Sequence, residues 1–350
     1  MKNKYKFKYH NCNIQIINNN LYDTLYLLRD INMFWSLHKI VEKNVSEQII
    51  KNEKSINHLL NYIQVDLSLE YGLCGFGYMY FYMSNYSKCF YMNKTYIDRI
   101  LIENIDKVLN NKIPIMINDK FNTAYDYYTG LLGIFGYLIQ CTDHMNIKIK
   151  IFKYIIDRFN ELDLSNNHNF NLSNGHGFSS FFSILKLSKG LYTFSKNELS
   201  TIKKIILHIE IILEHRFKVK DKISLSWGSG DFGILYSLFT LLHSLDLTIS
   251  KNLITYYLLV LNKGDKIIFS KLNTCNGAYG FIRMYEQLKT ISAIPDFDIP
   301  TKIVSSKKNN TILKEYTSRE FSIIDGILSR MLYENVNQLK SDDYFKLFLL

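Results

Sequence analysis

The chain has 350 residues, 47% of them hydrophobic and 21% charged, a composition that buries a sizeable core and excludes a disordered chain. Three prolines against 16 glycines exclude collagen-like and Pro-rich classes and leave long helices unbroken. The net charge is +10, yet only seven of the 42 basic residues are Arg and no basic run reaches five; this speaks against nucleic acid and leaves an acidic peptide as the partner such a charge favours.

The N-terminus, MKNKYKFKYHNCNIQII, is basic but has no apolar stretch of the kind a secretory signal carries. The five cysteines, Cys12, Cys74, Cys89, Cys141 and Cys275, form no CxxC pair and no disulfide framework. The longest apolar runs, such as Leu131 to Ile139, are shorter than the ~20 residues of a membrane span. The expected setting is the cytoplasm. Residues 1–64 are expected to supply helices, one of them an outer, amphipathic helix near Ile40 to Ile63.

From there a glycine motif recurs. Gly72-Leu73-Cys74-Gly75 is followed by Gly130-Leu131-Leu132-Gly133, by Gly177-Phe178-Ser179-Ser180 with its second glycine lost, and by Gly230-Asp231-Phe232-Gly233. Gly277-Ala278-Tyr279-Gly280 and a degraded Gly326-Ile327-Leu328-Ser329 complete the series. Successive first glycines lie 58, 47, 53, 47 and 49 residues apart, a period that marks a repeat architecture. Each motif opens an apolar segment, as in Ile234 to Leu245. Between motifs run amphipathic helices, with Ile97, Leu101, Ile105 and Val108 on one face and Ile202, Ile205, Ile206, Ile209 and Leu213 on another. Ser195-Lys196-Asn197-Glu198 has the form of a capping box.

The pattern predicts an all-α fold of six or seven helical hairpins in one domain over 1–350, with the motif-bearing repeats at about 65–350. Outer helices are amphipathic and inner helices buried. Glycine stands at the turn because the backbone there approaches a neighbour closely or takes φ > 0.

Three copies carry extra polar residues. Ala124-Tyr125-Asp126-Tyr127-Tyr128-Thr129-Gly130 resembles the "YDxxSG" segment of the LanC-like family, the lanthionine synthetase C proteins. Asn171-Leu172-Ser173-Asn174-Gly175-His176-Gly177 resembles its "NLGxAHG", and Ser226-Trp227-Gly228-Ser229-Gly230-Asp231-Phe232-Gly233 its "SWCYGxPG". Asn273-Thr274-Cys275-Asn276-Gly277 stands at its "LCHG", and Asp342 to Leu347 is similar to its C-terminal finish. The resemblance covers about residues 65–350. It implies an α/α toroid whose centre, in cyclase members, holds zinc. The metal binds a substrate cysteine as thiolate, which adds to dehydroalanine or dehydrobutyrine and closes a thioether ring. The thiolate is the nucleophile, and zinc with an open position favours it.

The zinc positions depart from the family. They are Gly228, Cys275 and Asn276 here, so two of three ligands are replaced, and Ser229 stands where the family has Tyr. The Arg found just upstream in the family is also missing near Ser224. No zinc cofactor is therefore expected. What remains as catalytic candidates is His176, Asp126 and Cys275. The resemblance gives His176 and Asp126 a proton-transfer role, for which imidazole suits neutral pH. Asp126 reads equally as a helix N-cap, and Asp231 reads as one. Cys275 reads as a residual nucleophile or as a packed relic. Trp227 and Tyr125 are candidates for the substrate, although Trp227 also reads as a residue that packs at its turn; Tyr127 and Tyr128 are further candidates for the cavity wall.

Three functions stay open. The first is zinc-independent thioether cyclisation in lanthipeptide-type maturation. The second is a non-catalytic scaffold that binds a precursor peptide with an acidic leader, or the dehydratase and exporter of the same pathway. The third is a carbohydrate enzyme of the α/α-toroid kind, with Asp126 and Asp231 as its carboxylates.

Overall fold

The computed structural model describes residues 3–9, 12–18, 20–37, 43–84, 87–110, 126–161, 171–219, 223–264, 275, 277–295, 315–317, 322–323, 327–334 and 348. Its body is an α/α toroid. The inner helices among the described residues are α1 (Leu21–Leu37), α3 (Leu73–Met83), α5 (Leu131–Cys141), α7 (Ser179–Lys186), α9 (Asp231–Ser244), α11 (Ala278–Leu288) and α12 (Ile327–Glu334). The outer ones are α2 (Lys43–Leu60), α4 (Lys88–Leu109), α6 (Met145–Glu161), α8 (Lys196–Val219) and α10 (Lys251–Gly264).

Inner helices pack in chain order, α1 on α3, α3 on α5, and so on to α11, and α12 packs back on α1. Outer helices α2, α4, α6 and α10 lie against their inner partners, with α8 between α6 and α10. A buried cluster on α1 joins the two ends of the chain. Asp30 pairs with Arg29 at 2.8 Å and accepts the backbone N–H of Ile323 at 3.1 Å. Arg29 in turn donates to the carbonyl of Glu70 at 2.6 Å.

The periodicities account for the layers. On α4, Ile97, Leu101, Ile105 and Val108 are buried at helical spacing while Tyr91, Met92 and Tyr96 face outward. On α5 and α9 nearly every side chain is buried, as apolar sequences without a polar face require. The capping box forms on α8. Ser195 Oγ accepts from Glu198 N at 3.2 Å and Glu198 Oε2 accepts from Ser195 N at 2.7 Å.

The glycine turns need space rather than unusual dihedrals. Gly72, Gly130, Gly230 and Gly277 hold extended φ values of −129°, −119°, −91° and −116°. Of the two reasons the sequence offers for glycine there, close approach and tolerance of φ > 0, the first applies. A Cβ on Gly133 would collide with the carbonyl oxygen of Tyr127, and one on Gly233 with that of Trp227, six residues back in each case. Where the repeat has lost this glycine, Ser180 Oγ bonds the carbonyl of Asn174, again six residues back. The hydroxyl satisfies the carbonyl that glycine elsewhere merely clears. Gly133→Ala is expected to destabilise by about 1–3 kcal/mol through overpacking, read as a lower denaturant midpoint at unchanged slope.

The N-terminal segment departs from the expected helices. Asn3–Tyr9 (β1) and Cys12–Asn18 (β2) form an antiparallel hairpin, and Glu315–Thr317 (β3) pairs parallel to β2. The alternation Lys4-Tyr5-Lys6-Phe7-Lys8 has the two-residue period of a strand. The expected outer helix near 40–63 is α2, and α1 is its inner partner without a glycine motif. No helix among the described residues is long and apolar enough to cross a membrane.

Candidate functional site

The turns that precede the inner helices meet at one end of the ring, and main-chain bonds join them in series. Glu70 N–H donates to the Tyr128 carbonyl at 2.8 Å and Tyr127 N–H to that of Gly175 at 3.0 Å. Gly175 N–H donates to Gly228 at 2.7 Å, and Gly228 N–H to Cys275 at 2.8 Å. Five segments far apart in sequence are thus held edge to edge. Asn174 adds a side-chain tie, donating to the Gly233 carbonyl at 2.9 Å and accepting from Ser237 Oγ at 2.7 Å.

On this frame stand two of the expected residues. Asp126 Oδ1 accepts from the N–H groups of Tyr128 and Thr129, both at 2.8 Å. The carboxylate therefore organises its own turn rather than capping α5, whose N-cap is Gly130. Asp126 Oδ2 lies 2.6 Å from His176 Nδ1. An ionised carboxylate only accepts, so Nδ1 carries the proton and Nε2 is left as the second working nitrogen. The Asp126 side chain is 11% exposed and that of His176 is 56% exposed, so a fixed carboxylate holds a reachable imidazole.

The hydrogen bond that His176 donates to Asp126 holds the His176 pKa above its ordinary value; burial works against it, and the Asp126 and Glu70 charges add to the rise. A histidine raised in this way contributes stability that is present below its unfolded value of ~6.5. That contribution is lost as pH rises through the folded value. Asp126→Asn is expected to move the His176 titration toward lower pH, as followed by NMR of the imidazole carbon-bound protons. An unmoved titration would remove the pair from the argument.

Cys275 is 2% exposed and its Sγ lies 2.7 Å from the Tyr128 hydroxyl. Burial, then the neighbouring thiol, pushes the Tyr128 phenol well above its usual range, so it keeps its proton. The Tyr128 ring stands edge-on to His176 with centroids 5.5 Å apart. Tyr128 thus separates a buried thiol from an exposed imidazole. Trp227 is fully buried against the rings of Tyr127, Tyr128 and Phe348. It is a core residue, packed at its turn. Tyr125 and Asn276 lie outside the described residues, as does the segment 342–347.

Asp231 is not a cap. Gly230 holds that position, and the fully buried Asp231 carboxylate pairs with Arg216 of α8 at 3.1 Å and accepts from Ser224 N at 2.9 Å. Glu70 was not singled out by its sequence. Burial raises its carboxyl pKa, and the charges of Arg29, His176 and Asp126 act on it, which places it at the same end of the ring. The one sequence signal was its position two residues before the first glycine motif.

Gly228 offers no side chain to a metal, and the Cys275 thiol is engaged by Tyr128. Among the described residues no group of three His, Cys, Asp or Glu side chains is gathered to hold a metal ion.

The model of the family described as "Lanthionine synthetase C-like protein" matches residues 31–327. The chain belongs to the lanthionine synthetase C-like family. Among solved structures, one titled "Nisin cyclase" superposes with a TM-score of 0.62 at 18% identity, over 93% of this chain and 90% of its own. That likeness is one of fold. Among curated proteins none matches the sequence. The lanthionine synthetase C-like toroid here holds the Asp126–His176 pair at the mouth of its ring, with Gly228 in the frame beside it.

Proposed function

We propose that this lanthionine synthetase C-like protein closes thioether rings in a ribosomally made peptide, without zinc. The observation that carries the reading is the 2.6 Å contact between Asp126 and a half-exposed His176. Family membership supports a peptide substrate that bears both a cysteine and a dehydroamino acid.

The chemistry needs one proton moved twice. His176 Nε2 takes the proton from the substrate thiol, and the thiolate adds to the β-carbon of dehydroalanine or dehydrobutyrine. The carbon–sulfur bond forms as the double bond's electrons move into an enolate. The imidazolium, stabilised by Asp126, returns the proton to the α-carbon. The raised pKa of His176 suits the second half, and its neutral fraction serves the first. No step passes through a metal, and Cys275 packs beneath the site rather than attacking. A precursor peptide with an acidic leader, a dehydratase and an exporter are the partners this reading assigns, and the cytoplasm is its setting.

A non-catalytic scaffold is the second reading, favoured by the Gly at position 228 and the engaged thiol of Cys275. The deciding experiment incubates a dehydrated, cysteine-containing peptide with the protein and counts the remaining thiols by alkylation and mass spectrometry. The expected result is loss of free thiol at a rate unchanged by a metal chelator. Peptide binding with no loss of thiol would make the protein a scaffold. A rate abolished by the chelator and restored by zinc would return the metal to the mechanism. The carbohydrate-enzyme reading loses its second carboxylate to the Arg216–Asp231 pair.

A further inference from the structure

Two basic side chains that the proposed reaction does not use come together inside the ring. Lys186 is the last residue of α7, and Arg283 lies on α11; these helices flank α9. Lys186 Nζ donates to the Tyr236 hydroxyl of α9 at 3.2 Å and stands over that ring, 5.1 Å from its centroid. The same hydroxyl donates to Gln287 Oε1 of α11. Tyr236 is fully buried, whereas Lys186, Arg283 and Gln287 keep part of their surface exposed. Three consecutive inner helices thus contribute to one polar cluster.

Its place follows from the ring. The helices on either side of α9 draw together toward the axis and apart toward the outer layer, where Tyr257 of α10 packs on Phe232 and Phe239 of α9. Side chains from α7 and α11 that meet over α9 therefore belong to the inner wall. Depth follows from the repeat. Tyr236 and Arg283 each stand six positions after the first glycine of their motif, Lys186 nine and Gln287 ten. At 1.5 Å per helical residue, the cluster lies roughly 9–15 Å down the inner helices from the turns that carry Asp126 and His176. An extended peptide covers that distance in about three to five residues.

Burial, then the like charge of Arg283, lowers the Lys186 ammonium to about 7. A carboxylate seated beside them would offset that like charge and favour the charged ammonium. The donors suit such a group. Arg283 presents a planar fork that matches two carboxylate oxygens, and Lys186 adds a point charge. We propose that Lys186 and Arg283, with Tyr236 and Gln287, form a carboxylate-binding site on the inner wall of the ring. It stands apart from the Asp126–His176 pair. In the setting proposed above, the carboxylate is an Asp or Glu side chain of the bound peptide, about three to five residues from its reacting cysteine. A small free carboxylic acid offers the same chemistry. The peptide as source rests on the peptide-substrate reading, and the site itself does not.

The probes are propionate and the capped tripeptide acetyl-Gly-Glu-Gly-amide, titrated against the full chain by ligand-observed NMR. Propionamide and acetyl-Gly-Gln-Gly-amide are their uncharged counterparts. The unaltered chain is expected to bind the charged probes and not the uncharged ones, and to bind more weakly as salt rises. Lys186→Met and Arg283→Met are each expected to weaken binding by at least about tenfold, the loss of one charge-assisted hydrogen bond. No binding of either charged probe, equal binding of a charged probe and its amide, or an affinity unchanged in both variants would each overturn the proposal. The amide comparison stands even if a variant fails to fold. A tripeptide held more tightly than propionate makes the peptide the source, and the reverse order makes it a small acid; either order keeps the site. No probe contains a cysteine or a dehydroamino acid, so failure of this site and failure of ring closure are read separately.

Discussion

Replacing His176 with alanine is expected to slow thioether formation by about 10²–10⁴-fold, the range supplied by a positioned acid–base group. In the proposed reaction both proton transfers pass through this imidazole, and the structure holds it in one tautomer through Asp126 at 2.6 Å. Asp126→Asn should cost less than His176→Ala. An amide can turn its oxygen toward Nδ1–H and keep the tautomer, but it gives up the charge that stabilises the imidazolium. The rate of the Asn variant should therefore fall off at lower pH than that of the parent, in step with the lower His176 pKa. The readout is the time course of free thiol in a dehydrated peptide across pH, with folding checked by circular dichroism. A His176→Ala protein that closes rings at the parent rate would end the proposed mechanism.

Arg216→Met is expected to be the most destabilising of the single changes considered, at about 3–5 kcal/mol, because it leaves a buried carboxylate without its cation. Asp231 is completely buried, whereas the Arg216 side chain is 30% exposed. The asymmetry sets the sign of a comparison. Removing the arginine strands the charge that cannot reach water, while removing the aspartate strands one that can. Arg216→Met should thus lose more than Asp231→Asn, and the double variant should recover part of the loss. Denaturant midpoints of the four proteins close this cycle. Equal losses from both single changes would mean that packing, not charge, governs the position.

The ring was legible because its signals are periodic. The glycine motif marks the start of every inner helix but α1 at a near-constant spacing, and the apolar faces of α4 and α8 repeat at helical intervals. The Asp126–His176 pair was legible only through motif resemblance, since the two residues lie fifty positions apart and no local pattern joins them. Other features depended on contacts that a linear reading does not contain. Asp231 reads as a helix cap because capping is a local preference, whereas its partner Arg216 arrives from a neighbouring outer helix. Trp227 sits inside a motif and reads either as a substrate residue or as packing at its turn; the three rings that enclose it decide for packing. The β1–β2 hairpin was missed even though its lysine–aromatic alternation was in plain view, because the repeat argument extended helices to the N-terminus.

The main-chain bonds that run from Tyr127 through Gly175 and Gly228 to Cys275 act as a drawstring around the mouth of the ring. Side-chain identity does not enter such a lacing, so a ligand-bearing residue at position 228 could give way to glycine without loosening the turns on either side. Chemistry and architecture are then separable traits in this fold. Where a turn has room for a side chain, substitutions at the mouth alter what it does and leave its shape alone. Proline is the exception, because it alone removes the amide hydrogen that each stitch requires; introduced at Gly228, it would open the lacing where the Gly175 and Cys275 segments meet.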